Sequence, residues 1–371
     1  MTTQAIGIAV LLASMAAAQT VDKPAVDNGA GAWNGKAAVR YLDQRLEWWT
    51  TWRTAARDHE TFCVSCHTVL PYALGRPALR SALAEKSESS TERKLLDNVI
   101  KRVRLWSEVQ PFYTDEKNGA PKSTESRGTE AVLEALILAS YDSREGRFSD
   151  DTRKAFENMW SVQLKTGDAM GAFPWLNFQN QPWEADDSQF WGATLGAIAA
   201  GYAPAQYRSN TGVQANVELL AAYLRRAAPG QSLINRLFLL WASTKIPGLL
   251  TAPGHSAIVD EAFAKQREDG GWSTSSLVIG TWKRKDATPL ETGSDGYGTG
   301  LVSFVLEQSG VARQEPHLQH ALAWLRKNQD GALGLWPAAS LNKKRDPASD
   351  AGRFMSDAAT AYSVLALTGG K

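Results

Sequence analysis

Both cysteines of the chain fall in one pentapeptide, Cys63-Val64-Ser65-Cys66-His67. Two thiols three residues apart can each add to a vinyl group of one porphyrin, and the histidine that follows then meets the iron. The spacing therefore predicts one covalent haem c held by Cys63, Cys66 and His67. Two other chemistries use the same residues. A Cys63–Cys66 disulfide, with His67 lowering a thiol pKa, makes a structural or redox-active pair, and a zinc ion would need a ligand beyond two cysteines and one histidine. A second cluster, Glu184-Ala185-Asp186-Asp187, sets three carboxyl groups within four residues. In a dry pocket, such crowding keeps a proton on one of them, so Asp186 is a candidate acid and Asp187 its neighbour. Asp187 equally suits a helix cap.

The elements that position these residues are helices. From residue 36 onward the apolar spacing is helical and comes in pairs, with almost no alternating runs. The pairs are 36–57 with 66–84, 92–109 with 125–141, 150–164 with 187–202, 212–227 with 231–245, 255–266 with 293–309, and 315–328 with 354–368. The second member of each pair is rich in small residues, as in Gly128-Thr129-Glu130-Ala131, Gly192-Ala193-Thr194-Leu195 and Gly298-Thr299-Gly300-Leu301. Several open near an aspartate (Asp187, Asp295, Asp357) whose carboxylate would cap the first turn. The first members carry more Arg, Lys and Glu, as a solvated outer layer does. Six inner and six outer helices predict an all-α (α/α)6 barrel, or toroid, as one domain over 19–371.

Gln266-Arg267-Glu268-Asp269-Gly270-Gly271-Trp272 and Gln329-Asp330-Gly331-Ala332-Leu333-Gly334-Leu335-Trp336 share the order Gln, acid, Gly, Trp, and Gln163 through Gly171 to Trp175 is a looser copy. These loops resemble the QW motif of the prenyltransferase and squalene-cyclase repeat family, in which the glutamine caps a helix and the tryptophan stacks on it. The resemblance spans about residues 90–368 and implies the toroid. Glu184-Ala185-Asp186-Asp187 resembles the D-x-D-D motif of class II terpene cyclases, with Glu in place of the first Asp; it implies Asp186 as the proton donor to an alkene. The Cys63–His67 segment resembles the attachment site of c-type cytochromes, in which Met is a known second axial ligand.

In such a barrel the inner helices run the same way, so their N-termini gather on one rim, with His67 at the start of the first. Met355 opens the sixth inner helix, which adjoins the first when the ring closes, and is the favoured second iron ligand; an iron with no second ligand is the equal alternative and would point to catalysis. Met170 and His59 belong to the same rim; His255, His317 and His320 start outer helices and belong to the other end. An aromatic cavity, fed by some of the 14 tryptophans, is expected below the haem.

Residues 1–18 carry an uncharged apolar run with an Ala16-Ala17-Ala18 cleavage site, so the reading is a signal peptide cut near Ala18 and a periplasmic or otherwise exported protein. The run is shorter than the roughly 20 residues of a membrane span, and no later stretch reaches that length. With 40 Lys and Arg against 39 Asp and Glu, the charge gives no footprint for nucleic acid. Three function classes follow. The first is an exported haem protein that transfers electrons to a redox partner or oxidises a small apolar, terpenoid-like compound. The second is a cyclase or isomerase using Asp186 and Asp187, with Cys63–Cys66 as a disulfide. The third is a glycan-cleaving enzyme on the same kind of barrel.

Overall fold

In a computed structural model, residues 33–278, 280 and 282–370 are described; the expected signal peptide lies outside them. The helices come in hairpins, an outer one followed by an inner one. They are α1 (Gly35–Thr51) and α2 (Val69–Ala82), then α3 (Ser90–Arg104), a short α4 (Asp115–Asn118) and α5 (Lys122–Arg144). Next come α6 (Asp150–Ser161) and α7 (Ser188–Tyr202), a short α8 (Ala205–Arg208), and α9 (Thr211–Ala227) with α10 (Leu233–Ser243). The last are α11 (Ala252–Ala264) with α12 (Gly296–Gln308) and α13 (Pro316–Lys327) with α14 (Phe354–Thr368). Each of the six pairs has its expected counterpart, the largest departures being α1, which ends at Thr51 and leaves Ala56 and Arg57 to a strand, and α3, which ends at Arg104. Two short strands, β1 (Ala56–Arg57) and β2 (Thr61–Phe62), form a hairpin before α2. Among the described residues no helix is long and apolar enough to cross a membrane.

The inner helices close a ring, α2 against α5, α7, α10, α12, α14 and back to α2. Small residues permit this packing. Gly75 lies where a Cβ would come 3.1 Å from Ala361, and Gly300 where one would come 2.7 Å from the Ser363 amide. Every residue of α14 from Met355 to Thr368 is buried, as expected of a helix with neighbours on all sides.

Three loops on the outside of the ring share one construction. Gln163 donates to Gly171 O and to Asn216 O on α9; Gln266 donates to Gly270 O and to His317 O on α13; Gln329 donates to Gly334 O and to Asn34 O at the start of α1. Each glutamine thus ties its own loop to the next outer helix, and the last of them ties the sixth hairpin to the first. Gly171 and Gly334 have φ of 100° and 81°, and a Cβ there would lie 2.1 Å from Leu219 O and 2.3 Å from Ala37 O, so only glycine fits. The Trp272 and Trp336 indoles donate back to Ala262 O and Leu325 O, each at 2.7 Å. In the looser copy the residue two after the glycine is Phe173, fully buried. Trp175 lies further on and donates to Trp183 O instead, so it is not the staple its position in the motif implied.

Two further expectations change. Of the three aspartates expected to cap inner helices, only Asp295 does so, accepting from the amides of Tyr297 and Gly298 at 2.9 Å. Asp187 occupies the cap position of α7 without a cap bond, and Asp357 lies inside the first turn of α14. The barrel axis is filled: Tyr362 contacts Tyr297, Phe238 and Phe304 at centroid distances of 5.8, 6.1 and 6.2 Å, and all four rings are buried.

Candidate functional site

Cys63, Cys66 and His67 lie between β2 and α2. Ser65 turns the chain there, its hydroxyl accepting from the amides of Thr68 and Val69 at 3.3 and 3.2 Å, so the pentapeptide supplies its own cap for α2. Distant side chains hold the rest of the loop. The Trp49 indole donates to Cys63 O at 2.7 Å, and the Asn98 amide pairs with both backbone groups of Phe62. Arg102, fully buried, donates to Thr61 Oγ1 at 2.6 Å and to Glu130 at 2.5 Å.

A cavity of about 200 Å³ sits at the rim where the inner helices begin, and Cys63, Cys66, His67 and Met355 all line it. Trp49, Trp52 and Trp183 form its aromatic walls, while Arg57, Asn180, Glu184, Asn342 and Arg345 supply the polar side. The cysteines are free thiols, both buried. Burial pushes the Cys63 thiol up to about 12, against the pull of Arg57 and Arg102, and raises that of Cys66 as well. A low-pKa redox cysteine is therefore not what the surroundings make.

The histidine is held more closely than the sequence suggested. Its ring stacks on Phe354 at 3.8 Å and meets Trp49 edge-on at 4.9 Å. Burial, with the Arg45 charge nearby, pushes its pKa down to about 3, so the imidazole is neutral. Nδ1 lies 2.9 Å from Thr68 Oγ1, and that hydroxyl donates to Asp357 Oδ2 at 2.7 Å. Asp357 accepts from Tyr41 Oη, from Arg45 Nε and Nη2 and from Thr68. Burial raises its carboxyl, and these donors, Arg45 foremost, pull it back. A carboxylate with four donors has no proton to give, so the Thr68 proton points at Asp357 and the Thr68 lone pair accepts from His67 Nδ1–H. Nε2 is thereby the unprotonated nitrogen, the one that binds a metal.

This donor set fits a covalently held haem: two uncommitted thiols, an imidazole with a fixed tautomer and a free Nε2, and a thioether lining the same cavity. It fits zinc less well, since among the described residues no group of three or more His, Cys, Asp and Glu side chains gathers to hold an ion.

The acidic cluster is dispersed. Glu184 lines the cavity and burial raises its pKa. Asp186 is exposed and takes a hydrogen bond from Asn177 Nδ2 at 2.7 Å; the dry pocket that would protonate it is missing. Asp187 accepts from Asn235 Nδ2 at 3.2 Å and is not among the cavity residues. Of the other proposed iron ligands, His59 stands exposed at the hairpin turn and Met170 lies beside Arg226, and neither lines the cavity. His255 bonds Ser309 O, at the end of α12, as expected for the far side of the barrel. Sequence reasoning missed the Thr68–Asp357 relay and its anchors Tyr41 and Arg45. Asp357 had the look of a cap, and nothing local to His67 names a partner 290 residues away.

No protein-family model matches the chain, and no curated protein sequence does. Among solved structures it is similar to a glycosidase, seen as two single-residue variants. Both are 12% identical over 91% of this chain and 98% of that one, with TM-scores of 0.52 and 0.51. At that identity the likeness is one of fold. The chain is an all-α toroid.

Proposed function

We propose that the chain is an exported c-type haem protein whose work is electron transfer. The observation that carries the reading is the relay Asp357–Thr68–His67: it leaves His67 Nε2 free inside a cavity that Cys63 and Cys66 also line. When bound there, haem supplies a one-electron iron couple. Cys63 and Cys66 would hold it through thioethers, and His67 and Met355 would bind its iron. The chain's own part is to fix the imidazole. Thr68 accepts a hydrogen bond from Nδ1–H, Asp357 makes that hydroxyl a strong acceptor, and Arg45 and Tyr41 keep the carboxylate still. Trp49, Trp183 and Phe354 pack around the imidazole and hold its plane, while its free edge stays open to the cavity. Oxidation of a bulky apolar compound inside the barrel finds less support, because Tyr297, Phe304 and Tyr362 fill the axis.

The cyclase reading loses its acid with Asp186 exposed. Glycan hydrolysis uses a pair of carboxyl groups, and of the residues lining the rim cavity Glu184 alone has one. The deciding experiment is the absorption spectrum of protein made with a c-type maturation system. A haem band that survives denaturation is expected; its absence rejects the proposal. Carbon monoxide should bind the reduced protein only after Met355→Ala.

A further inference from the structure

Arg45 holds more than the relay. It rises from α1 into the interior with its guanidinium 4.4 Å over the Trp48 ring, and it donates four hydrogen bonds, all to the short stretch 350–357. Nε and Nη2 reach the Asp357 carboxylate at 2.8 and 3.1 Å; Nη2 also reaches Asp350 O at 2.9 Å, and Nη1 reaches Asp350 Oδ1 at 3.0 Å. The two carboxylates differ in place. Asp357 is buried at the relay, whereas the Asp350 side chain is 54% exposed. Between them the chain makes a 3-10 turn, Ala351–Arg353, and enters α14. Ala351, Phe354 and Met355 of this stretch line the rim cavity, and Phe354 is the ring stacked on His67.

Ser340, Asn342 and Arg345 line the cavity too, so the whole loop is one of its walls. At its start the wall is tied to the loop before α12, through Arg284 to Ser340 O, Lys285 N to Asn342 O and Lys344 N to Asp286. Among the described residues, Arg45 is the one side chain from outside the loop that bonds to residues 345–350. One guanidinium therefore fixes both the end of the cavity wall and the carboxylate behind His67. A cation shared by two carboxylates divides its pull between them, and a chain of hydrogen bonds passes that division along. With Asp350 uncharged, Arg45 turns wholly to Asp357, whose hold on the Thr68 hydroxyl weakens, and the hydroxyl becomes a poorer acceptor for His67 Nδ1–H.

Building on the haem reading, we propose that Asp350 is a positioning residue for the iron site. From the surface it sets, through Arg45, how strongly Asp357 and Thr68 polarise His67 and where Phe354 and Met355 stand against it. A strongly polarised imidazole favours iron(III), so loss of the Asp350 charge favours the reduced protein.

The test compares Asp350→Asn, which keeps an acceptor for Nη1 but loses the charge, with Asp350→Ala, both in the full-length haem-loaded protein. Equilibrated against a redox dye, Asp350→Asn should move the balance about threefold toward the reduced form, the scale of an ion pair with one exposed partner, while its melting temperature stays that of the parent. In a Thr68→Val background, where the relay is cut, the same substitution should do nothing. No shift in the parent background overturns the proposal, and so does a shift of full size with Thr68→Val, which is a charge acting directly through space. A second readout needs no haem. In protein with serine at both cysteines, Asp350→Ala should move the proton resonances of the Phe354 ring and the Met355 methyl and leave those of Met170 in place. Unmoved Phe354 and Met355 resonances would overturn the clamp. If they move in a protein that never takes up haem, the clamp stands and the electron-transfer reading falls.

Discussion

Two sets of loops hold this ring together, and they are made in opposite ways. The loops at Gln163, Gln266 and Gln329 use one local recipe: a glutamine, a glycine with positive φ and, in two of them, an indole that returns to its own outer helix. The loop carrying Cys63, Cys66 and His67 has no recipe. It is pinned by Asn98 and Arg102 of α3 and by Asp357 of α14. A staple can be copied along a chain because its parts travel together, whereas a site must be assembled from parts that have no reason to be neighbours in sequence.

The strongest way to break the contrast is Asp357→Ala. Arg45, 4% exposed, would lose its buried partner, and thermal melts should show a loss of about 3–5 kcal/mol; proton NMR should show His67 no longer confined to one tautomer. Glu130→Gln should cost a similar amount, for it leaves Arg102 charged and buried. Glu134→Gln should cost little, because Glu134, one turn along α5, is raised by burial and by the Glu130 charge and keeps its proton. If Glu134→Gln proves the worse of the two, the proton has been assigned to the wrong carboxyl.

On the staple side, Gln266→Leu strips donors from Gly270 O and His317 O and should cost about 1–3 kcal/mol by denaturant titration, with no change in any haem spectrum. Thr68→Val should destabilise by no more than that, yet it should move the reduction potential and the His67 ring resonances. A staple variant that shifts the spectrum, or a Thr68 variant that does not, erases the distinction between the two kinds of loop. A separate effect is one of pH. His67 is neutral when folded, with a pKa near 3 against 6.5 for the free side chain. The unfolded chain therefore takes up more protons between those values. In protein with serine at both cysteines, stability should be complete above about pH 6.5 and fall as the pH drops toward 3; a His67→Gln partner should lack that slope.

The same division explains what the sequence disclosed. Six hairpins, their order and the rim that gathers Cys63, His67 and Met355 followed from helical periodicity and from the rule that inner helices run one way. The staples were legible at Gln266 and Gln329, where glycine and tryptophan keep their distance from the glutamine, and were misread at Gln163, where Phe173 takes the place of the indole. Asp186 looked chemical because three acids crowd together in sequence; backbone direction separates them, and only Glu184 reaches the cavity. Asp357 looked like a cap for the opposite reason, since its four donors come from Tyr41, Arg45 and Thr68, at the other end of the chain.

That separation also sets an order of events. Asp357 is 316 residues from Tyr41 and 289 from Thr68, contacts that span almost the whole polypeptide and so are made late. Until α14 docks, Thr68 has no carboxylate to donate to and the His67 tautomer is not fixed, so the site takes its final form only when the ring of inner helices closes.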